Sequence, residues 1–280
     1  MNQNEKSLPR QPVFVVSDRT GITADTLCHM LLTQFPGIDF VQRTLPFVDT
    51  DEKVQATIDQ INDAAAEYGV KPLVFTTFVE ENLIEHLVEA DAEVMDLLQP
   101  FIGRMEHFLH RHSSHEAGHS YGLGNPDEYS RRISAVNYSL RCDDGIRTAD
   151  YKRATLILTG VSRSGKTPTC LYLALHFGFY AANYPLTEED FERGDLPPAL
   201  LENRDLVFGL TIDPLRLQQI RQERRPNSRY ADLQQCRTEV RQAEALFRRY
   251  KIPFCDSTNF SIEELGTTIR HRLGLQPAFY

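Results

Sequence analysis

The first hundred residues alternate between short apolar runs and longer segments with helical spacing. The runs are rich in β-branched and aromatic residues: VFVVSD (13–18), FVQRTLPFV (40–48) and PLVFTTFV (72–79). Apolar residues at helical spacing follow each run, through about Gln34, from Asp51 to Tyr68, and from Glu80 to about Leu109. Strands that alternate with helices predict a parallel sheet covered on both faces.

The C-terminal part of the chain shows the same alternation. Its predicted strands are ATLILT (154–159), FYAANY (179–184), LVFGLTID (206–213) and IPFCDST (252–258), with helices between them. The last helix is expected to begin at Ser261, where Glu264, three residues later, completes a capping box. The sequence therefore predicts a second α/β unit with a mainly parallel sheet.

Between these two parts the composition changes. The segment HRHSSHEAGHSYGLGNPDEY (110–129) is rich in His, Ser, Gly and Asn, as loops are, and a helical pattern follows in RRISAVNYSLRCDDG (131–145). We predict three regions: an N-terminal α/β domain over 1–105, a loop and linker helix over 106–150, and a kinase-like nucleotide-binding domain over 151–280.

One predicted strand leads directly into a glycine-rich loop. The residues Gly160, Val161, Ser162, Arg163, Ser164, Gly165, Lys166 and Thr167 match the phosphate-loop (P-loop) pattern G-x-x-x-x-G-K-[ST] in full, and a helical pattern follows them. Such glycines let successive backbone N–H groups face phosphate oxygens at the positive end of a helix. Lys166 is expected to contact the outer phosphates and act in catalysis, and Thr167 to bind Mg²⁺.

A phosphate-binding loop that transfers phosphoryl groups also needs acids beside it. Asp213, at the end of LVFGLTID, fits the role of a Mg²⁺ ligand, although Asp213-Pro214 is also the pattern of a helix N-cap. Asp143 and Asp144 precede the strand of the loop, and either could take a proton from an acceptor hydroxyl. With Gly145 they also fit a simple turn, so these alternatives stay open.

A cluster of arginines follows Asp213 in DPLRLQQIRQERRPNSRY. Guanidinium groups can clamp phosphoryl oxygens or a phosphorylated partner, and a solvated helix face is the alternative. The candidate contacts are Arg216, Arg221, Arg224, Arg225 and Arg229.

A second motif, HEAGH (115–119), has the H-E-x-x-H spacing of zinc proteases. That chemistry needs His115 and His119 one turn apart on a rigid helix, whereas Gly118 and the flanking serines favour a loop. We interpret the match as coincidental. A zinc hydrolase remains an alternative, and metal analysis tests it.

Charge and composition narrow the function classes. The 280 residues carry a formal net charge of −9, which argues against broad adhesion to nucleic acid. No apolar run has the length of a membrane span, and the polar start MNQNEKSLPRQP is unlike a secretory signal. The 5 cysteines are scattered and form no C-x-x-C pair, which favours reduced thiols in a cytoplasmic protein.

Taken together, the motifs resemble those of a known family, the bacterial phosphoenolpyruvate synthase regulatory proteins, which are related to the pyruvate, phosphate dikinase regulatory proteins. The resemblance covers nearly the whole chain and rests on motifs in the same order: SDRTGITADTL, TLPFV, RRISAVNYSLRCDDG, GVSRSGKTPTCLYLA, AANYPL, GLTIDPLRLQQIRQERR, NSRYA and STNFSIEEL.

The resemblance implies two opposed activities on phosphoenolpyruvate synthase. One is a serine/threonine kinase activity that uses ADP as donor with Mg²⁺ and inactivates the target. The other is a phosphorylase activity that removes the phosphate with inorganic phosphate and releases pyrophosphate. By analogy, a homodimer is expected. The residues alone leave three interpretations open: a protein kinase of the kind that the resemblance implies, a small-molecule or nucleotide kinase, and a non-catalytic nucleotide sensor.

Overall fold

A computed structural model of the chain describes residues 9–114 and 126–276. The chain divides into two compact units, residues 1–124 and residues 125–280, and each contains a four-stranded sheet. The predicted pair of α/β units is confirmed. Among the described residues, no helix combines the length and the apolar character that crossing a membrane requires.

The first unit alternates strands with helices in chain order. Its sheet has the order β2-β1-β3-β4 with all neighbours parallel, and Val13 to Val16 of the inner strand β1 are fully buried. Burial on both faces explains the continuous apolar run there. The elements are β1 (Arg10–Val16), α1 (Ile22–Leu32), β2 (Asp39–Leu45), α2 (Asp51–Tyr68), β3 (Leu73–Thr76), α3 (Glu81–Leu87), β4 (Glu93–Asp96) and α4 (Gln99–Leu109).

The sequence analysis treats Glu80 to about Leu109 as one long amphipathic stretch with helical spacing, and it misses a strand within that stretch. The segment contains α3, the strand β4 and α4. β4 pairs with β3 in parallel, from Leu73 opposite Glu93 to Thr76 opposite Asp96. A four-residue edge strand has too few positions to show its alternation, whereas the apolar residues of α3 do keep helical spacing.

The second unit has the sheet order β6-β5-β7-β8, again with all neighbours parallel. Short 3-10 helices lie at Asp143–Gly145, Thr148–Arg153, Arg204–Leu206 and Arg229–Ala231. The other elements are α5 (Pro126–Arg141), β5 (Leu156–Gly160), α6 (Lys166–Phe177), β6 (Ala181–Pro185), α7 (Glu188–Arg193), α8 (Pro198–Leu201), β7 (Val207–Thr211), α9 (Pro214–Arg224), α10 (Leu233–Arg249), β8 (Phe254–Asp256) and α11 (Ile262–Arg272).

Local signals define the helix ends in this unit. The predicted capping box is confirmed, because Ser261 and Glu264 exchange hydrogen bonds at the start of α11. Gly178 adopts a left-handed conformation (φ 69°) and ends α6. The helix that the sequence assigns to the connecting segment, α5, packs against α6 and β6, with Tyr138 stacked on Tyr180 at 4.9 Å between ring centroids.

Gly160 ends β5 where the chain passes against the neighbouring strand. Its φ is +149°, and a Cβ atom there would lie 2.1 Å from the backbone oxygen of Leu210. Because backbone cannot yield as a flexible side chain does, we expect Gly160→Ala to lower the free energy of unfolding of this unit by about 3 kcal/mol or more.

Scanning calorimetry of the full chain measures this loss as a lower transition temperature for one of the two units. The matched control is Gly103→Ala in α4, where an added Cβ would meet nothing within 4 Å. The transition temperature of that control should be equal to or higher than that of wild type, since alanine has a higher helix propensity than glycine. An unchanged transition in Gly160→Ala would show that the close approach to Leu210 is not restrictive.

Candidate functional site

The eight residues that the sequence identifies as a phosphate loop form one strand–turn–helix connection, here called the glycine loop (160–167). Gly160 is the last residue of β5, and Lys166 is the first residue of α6. Gly165 between them has φ +87°, and Arg163 also adopts a positive φ of 76°. The loop therefore lies at the carboxyl edge of the sheet, where α/β folds place ligands.

A compact polar cluster surrounds the end of the glycine loop. The Thr167 hydroxyl donates a hydrogen bond to Asp143 Oδ1 at 3.0 Å. The side-chain amide of Asn183 donates to the same carboxylate oxygen at 2.5 Å and to Thr167 Oγ1 at 2.9 Å. The structure thus brings Thr167 together with Asp143, a residue the sequence offers only as one of two candidate bases.

Asn183 is a site residue that the sequence analysis missed. It lies on β6 and is 1% exposed, and its backbone oxygen accepts a hydrogen bond from the Tyr151 hydroxyl at 3.1 Å. Among the described residues its side-chain Oδ1 is buried without a partner. An asparagine within the apolar strand FYAANY was the available signal, because a buried amide needs partners.

The two aspartates before β5 occupy different surroundings. Asp143 is half-buried and engaged by Thr167 and Asn183, whereas Asp144 is exposed. Asp144 has a left-handed backbone (φ 50°, ψ 30°), which aspartate tolerates better than most residues, and Gly145 follows with φ +71°. The predicted turn is therefore present, and it places the Asp144 carboxylate near the glycine loop.

Lys166 is buried although it carries a positive charge. Its side chain is 5% exposed, and Nζ donates to the backbone oxygen of Val161 at 2.9 Å. Burial lowers the pKa of Lys166 to about 8, and the nearby carboxylate of Asp144 opposes that shift. An ammonium group held in this way keeps few contacts with water, so an anion bound beside it would feel its charge strongly.

Asp213 is placed as a helix cap. One of its carboxylate oxygens accepts hydrogen bonds from the backbone N–H groups of Leu215 and Arg216, at 2.9 and 3.0 Å, at the start of α9. Asp213 does not line the cavity beside the glycine loop. The geometry favours the N-cap alternative, and in the described residues Asp143 takes the position beside Thr167 that was expected for Asp213.

The variant Asp213→Ser separates the two roles. Serine caps helices about as well as aspartate, so we expect a change in unfolding free energy below about 0.5 kcal/mol, whereas Asp213→Ala should cost about 1 kcal/mol. Phosphoryl transfer by Asp213→Ser should stay within about twofold of wild type, since a cap takes no part in the chemistry. A large loss of activity in this variant, with normal thermal unfolding, would restore the Mg²⁺ role.

The five candidate arginines do not act as one cluster. Arg224 lines the cavity beside the glycine loop, and Arg229 lines a neighbouring cavity and lies 3.1 Å from Glu188. Arg216 and Arg225 are exposed, and neither lines these two cavities. Arg221 is fully buried, so it is not a free clamp on the helix surface.

Arg221 instead connects the glycine loop to the helices beside it. Its guanidinium donates to the backbone oxygens of Ser162 and Tyr230 at 3.2 and 3.1 Å, and to Glu239 at 2.7 Å. It also lies over the Tyr230 ring, 4.3 Å from the centroid, and the Tyr230 hydroxyl meets Ser162 Oγ at 3.0 Å. The sequence analysis missed Tyr230 and Glu239, which no local pattern distinguishes from surface residues.

Two adjoining cavities with different charge lie at this edge of the sheet. The first, the loop cavity, measures about 470 Å³ and is lined by the cations Arg163, Lys166 and Arg224 and the acids Asp143 and Asp144. The second, the wide cavity, measures about 810 Å³. Both are lined by Asp144, Ser162 and Pro185, so they meet at these residues. Asp144 therefore stands at the junction.

The zinc motif HEAGH (115–119) lies outside the described residues. Within 9–114 and 126–276, no three His, Cys, Asp or Glu side chains come together in a way that could hold a metal ion. A divalent cation at the glycine loop would consequently depend on oxygen ligands of a bound phosphate as well as on protein groups.

The sequence profile described as kinase/pyrophosphorylase matches residues 13–269. A protein of Alkalilimnicola ehrlichii is 51% identical over 271 residues, covering 97% of this chain and 98% of its own length. A protein of Stutzerimonas stutzeri is 49% identical over 267 residues, covering 95% and 98%. A Pseudomonas aeruginosa protein is 48% identical over 270 residues, covering 96% and 98%. Each carries the provisional name of a phosphoenolpyruvate synthase regulatory protein.

Proposed function

The chain belongs to the kinase/pyrophosphorylase family, and from this premise we propose that its second unit moves a phosphoryl group between ADP and a threonine of phosphoenolpyruvate synthase. In the forward direction it is an ADP-dependent protein kinase that inactivates its target. In a second, opposed reaction it is a phosphorylase that restores the target by transferring the phosphoryl group to inorganic phosphate. The relatives' names supply the partner enzyme.

A single arrangement supports this proposal: the glycine loop with Lys166 beside it and Asp144 at the junction of two cavities. The loop cavity is lined by three cationic side chains against two carboxylates, which suits the phosphates of a nucleotide. A non-catalytic sensor needs only that cavity. The carboxylate at the border with a second, larger cavity adds what a transfer reaction needs, a base facing an acceptor.

In the forward reaction the acceptor hydroxyl attacks the β-phosphorus of ADP. A bond forms between the threonine oxygen and this phosphorus, the bond from the β-phosphorus to the bridging oxygen breaks, and AMP leaves with that oxygen. Asp144 takes the hydroxyl proton, because Asp143 accepts close hydrogen bonds from Thr167 and Asn183, at 3.0 and 2.5 Å, whereas the Asn183 amide lies 3.5 Å from Asp144. Lys166 stabilises the charge that develops on the transferred group.

The second, dephosphorylating reaction uses the same groups. An oxygen of inorganic phosphate attacks the phosphorus of phosphothreonine, the bond to the threonine oxygen breaks, and pyrophosphate forms. Asp144 takes the proton of the attacking hydrogen phosphate and passes it to the departing threonine oxygen. One set of residues suffices for both reactions, since each is an in-line transfer of one phosphoryl group at the glycine loop.

The residues present also fit a Mg²⁺ ion. Magnesium prefers oxygen ligands and is held in proteins by one or two carboxylates together with phosphate oxygens. Thr167 Oγ1, Asp143 and the unpartnered Oδ1 of Asn183 offer such oxygens at the edge of the loop cavity. The ion would neutralise part of the negative charge of the phosphates, and these three side chains would hold it.

The lowered pKa of Lys166, about 8, predicts how ADP binding varies with pH. Between about pH 7 and that pKa the ammonium is already charged and the terminal phosphate of ADP is ionised, so affinity should be nearly constant there. Above it, the neutral lysine must be protonated on binding, and affinity should fall by up to about tenfold for each further pH unit. Titration calorimetry measures this, and Lys166→Met should show no such fall.

The experiment that tests the proposal incubates purified protein with phosphoenolpyruvate synthase, ADP and Mg²⁺. Mass spectrometry should then find a new phosphothreonine in the synthase, together with one AMP for each phosphate added. Parallel reactions with ATP, and with AMP plus a second nucleotide in place of the synthase, test for another kind of kinase. If a small molecule or a nucleotide is phosphorylated and the synthase is not, the proposed function is rejected.

A further inference from the structure

The wide cavity differs in charge from the loop cavity beside it. Four carboxylates line it, from Asp144, Glu188, Glu189 and Glu239, against the two guanidinium groups of Arg221 and Arg229. Four negative and two positive charges leave a formal charge of −2. The loop cavity, with three cations and two carboxylates, has the opposite sign.

The negative charge of the wide cavity is concentrated at two positions. Glu239 lies 2.7 Å from Arg221, and Glu188 lies 3.1 Å from Arg229. Within each of these ion pairs the two charges largely cancel. The remaining carboxylates are those of Asp144 and Glu189, and Asp144 also acts on Lys166 of the loop cavity, where its charge raises the pKa of that lysine. Asp144 lies at the junction with the loop cavity, which leaves Glu189 as the remaining acidic group of the wide cavity.

The size and charge of this cavity indicate its ligand. A nucleoside diphosphate is an anion, and the carboxylates that line the wide cavity would repel it. A volume of about 810 Å³ is far more than one threonine side chain fills, but it falls within the range of clefts that enclose several groups of a ligand. An extended protein segment that carries a positive charge matches both properties.

We infer that the wide cavity binds the segment of the acceptor protein around the reactive hydroxyl, and that Glu189 pairs with a lysine or arginine close to that hydroxyl. The inference rests on the proposed function, because it takes the acceptor to be a protein. It adds the location of the acceptor and the residue that selects its sequence.

The walls of the cavity suit this role. Glu189 lies in the first turn of α7, where Thr187 and Asp190 form a capping box that fixes the start of the helix. Another lining residue, Tyr230, has its hydroxyl 3.0 Å from Ser162 Oγ of the glycine loop, so the lining of the wide cavity is joined to the donor site. A hydroxyl held near Asp144 therefore faces the loop cavity, while its flanking residues extend toward Glu189.

The test compares Glu189→Lys with Glu192→Lys, which changes an exposed glutamate of the same helix that does not line the cavity. With phosphoenolpyruvate synthase as acceptor at low salt, Glu189→Lys should raise the KM for the synthase about tenfold or more. The KM for ADP and kcat should stay unchanged, and added salt should reduce the difference from wild type. Glu192→Lys should behave as wild type.

Charge exchange identifies the pairing itself. Each lysine or arginine near the modified threonine of the synthase is replaced in turn by glutamate, and each product is assayed with Glu189→Lys. One replacement should restore the KM toward the wild-type value. If none restores it, the pairing with Glu189 is rejected.

The other outcomes are equally decisive. Unchanged KM values in Glu189→Lys, with normal transfer by wild type, would overturn the inference and leave the proposed function intact. An increased KM for ADP alone would show that the wide cavity binds nucleotide instead, which also overturns it. Absence of transfer by wild type would reject the proposed function itself, and the inference with it.

Discussion

Replacing Lys166 by methionine is expected to lower kcat for phosphorylation of the partner threonine by about a hundredfold to a thousandfold. The buried ammonium is held against the Val161 backbone oxygen of the glycine loop at 2.9 Å. Loss of one preorganised charge at a transferring group has effects of this size. Rapid-quench assays with ADP measure kcat, and calorimetry measures the accompanying loss of ADP affinity.

Methionine is the appropriate replacement because it keeps the volume of the lysine stem in a site that is 5% exposed. Removal of a buried charge should leave thermal unfolding unchanged or slightly raise its midpoint, since burial opposes the charged form of Lys166. Full activity in a correctly folded Lys166→Met protein would mean that the glycine loop is not the transfer site.

The second large effect is expected at Asp144. Asp144→Asn should lower kcat about a hundredfold or more while ADP affinity stays within about threefold, because the base acts on the acceptor and not on the donor. Asp143→Asn should instead weaken Mg²⁺-dependent ADP binding. Asp143 is hydrogen-bonded to Thr167 and Asn183, and these three side chains are the proposed ligands of the ion. The Asp144 variant should therefore change mainly kcat, and the Asp143 variant mainly the affinity for ADP.

A matched control for these variants is Asp205→Asn, which alters an exposed aspartate of the same unit whose side chain is 94% exposed and lines neither cavity. Its kinetic constants should equal those of wild type. If Asp143→Asn lowers kcat with normal ADP affinity and Asp144→Asn is fully active, the assignment of the base must be reversed.

Much of the fold could be predicted from the sequence because its signals are local. Strands buried on both faces appear as continuous apolar runs, and the caps at Ser261 and Gly178 follow from the backbone demands of helix ends. The strand β4 could not be predicted in this way. Four residues at a sheet edge carry little pattern of their own, and pairing with β3 decides their conformation.

In the candidate site, too, residues that are contiguous in sequence could be predicted, and residues that distant segments contribute could not. The glycine loop is contiguous in sequence, so its eight residues are recognisable from their order and spacing. Asn183 is contributed by β6, and it contacts Asp143 because the short helix Asp143–Gly145 packs against that strand, where the Asn183 backbone N–H donates to the Cys142 oxygen. A contact across 40 residues of chain leaves no signature in a local pattern.

The roles of Asp213 and Arg221 illustrate why residue type was insufficient. An aspartate before proline fits both a metal ligand and a helix cap, and only the hydrogen bonds to Leu215 and Arg216 favour the cap. An arginine in a polar helix looks exposed, yet Arg221 is buried because Glu239, Tyr230 and the Ser162 oxygen all face it. Burial of a charged group depends on partners that distant segments supply.

The most direct test of a single transfer site follows a labelled phosphoryl group through the reverse reaction. Phosphoenolpyruvate synthase carrying ³²P on its threonine is incubated with the protein and unlabelled inorganic phosphate, and the products are separated. The label should appear in pyrophosphate, and Lys166→Met should abolish its release. Label in free orthophosphate, or pyrophosphate formed at the wild-type rate by Lys166→Met, would contradict transfer at the glycine loop.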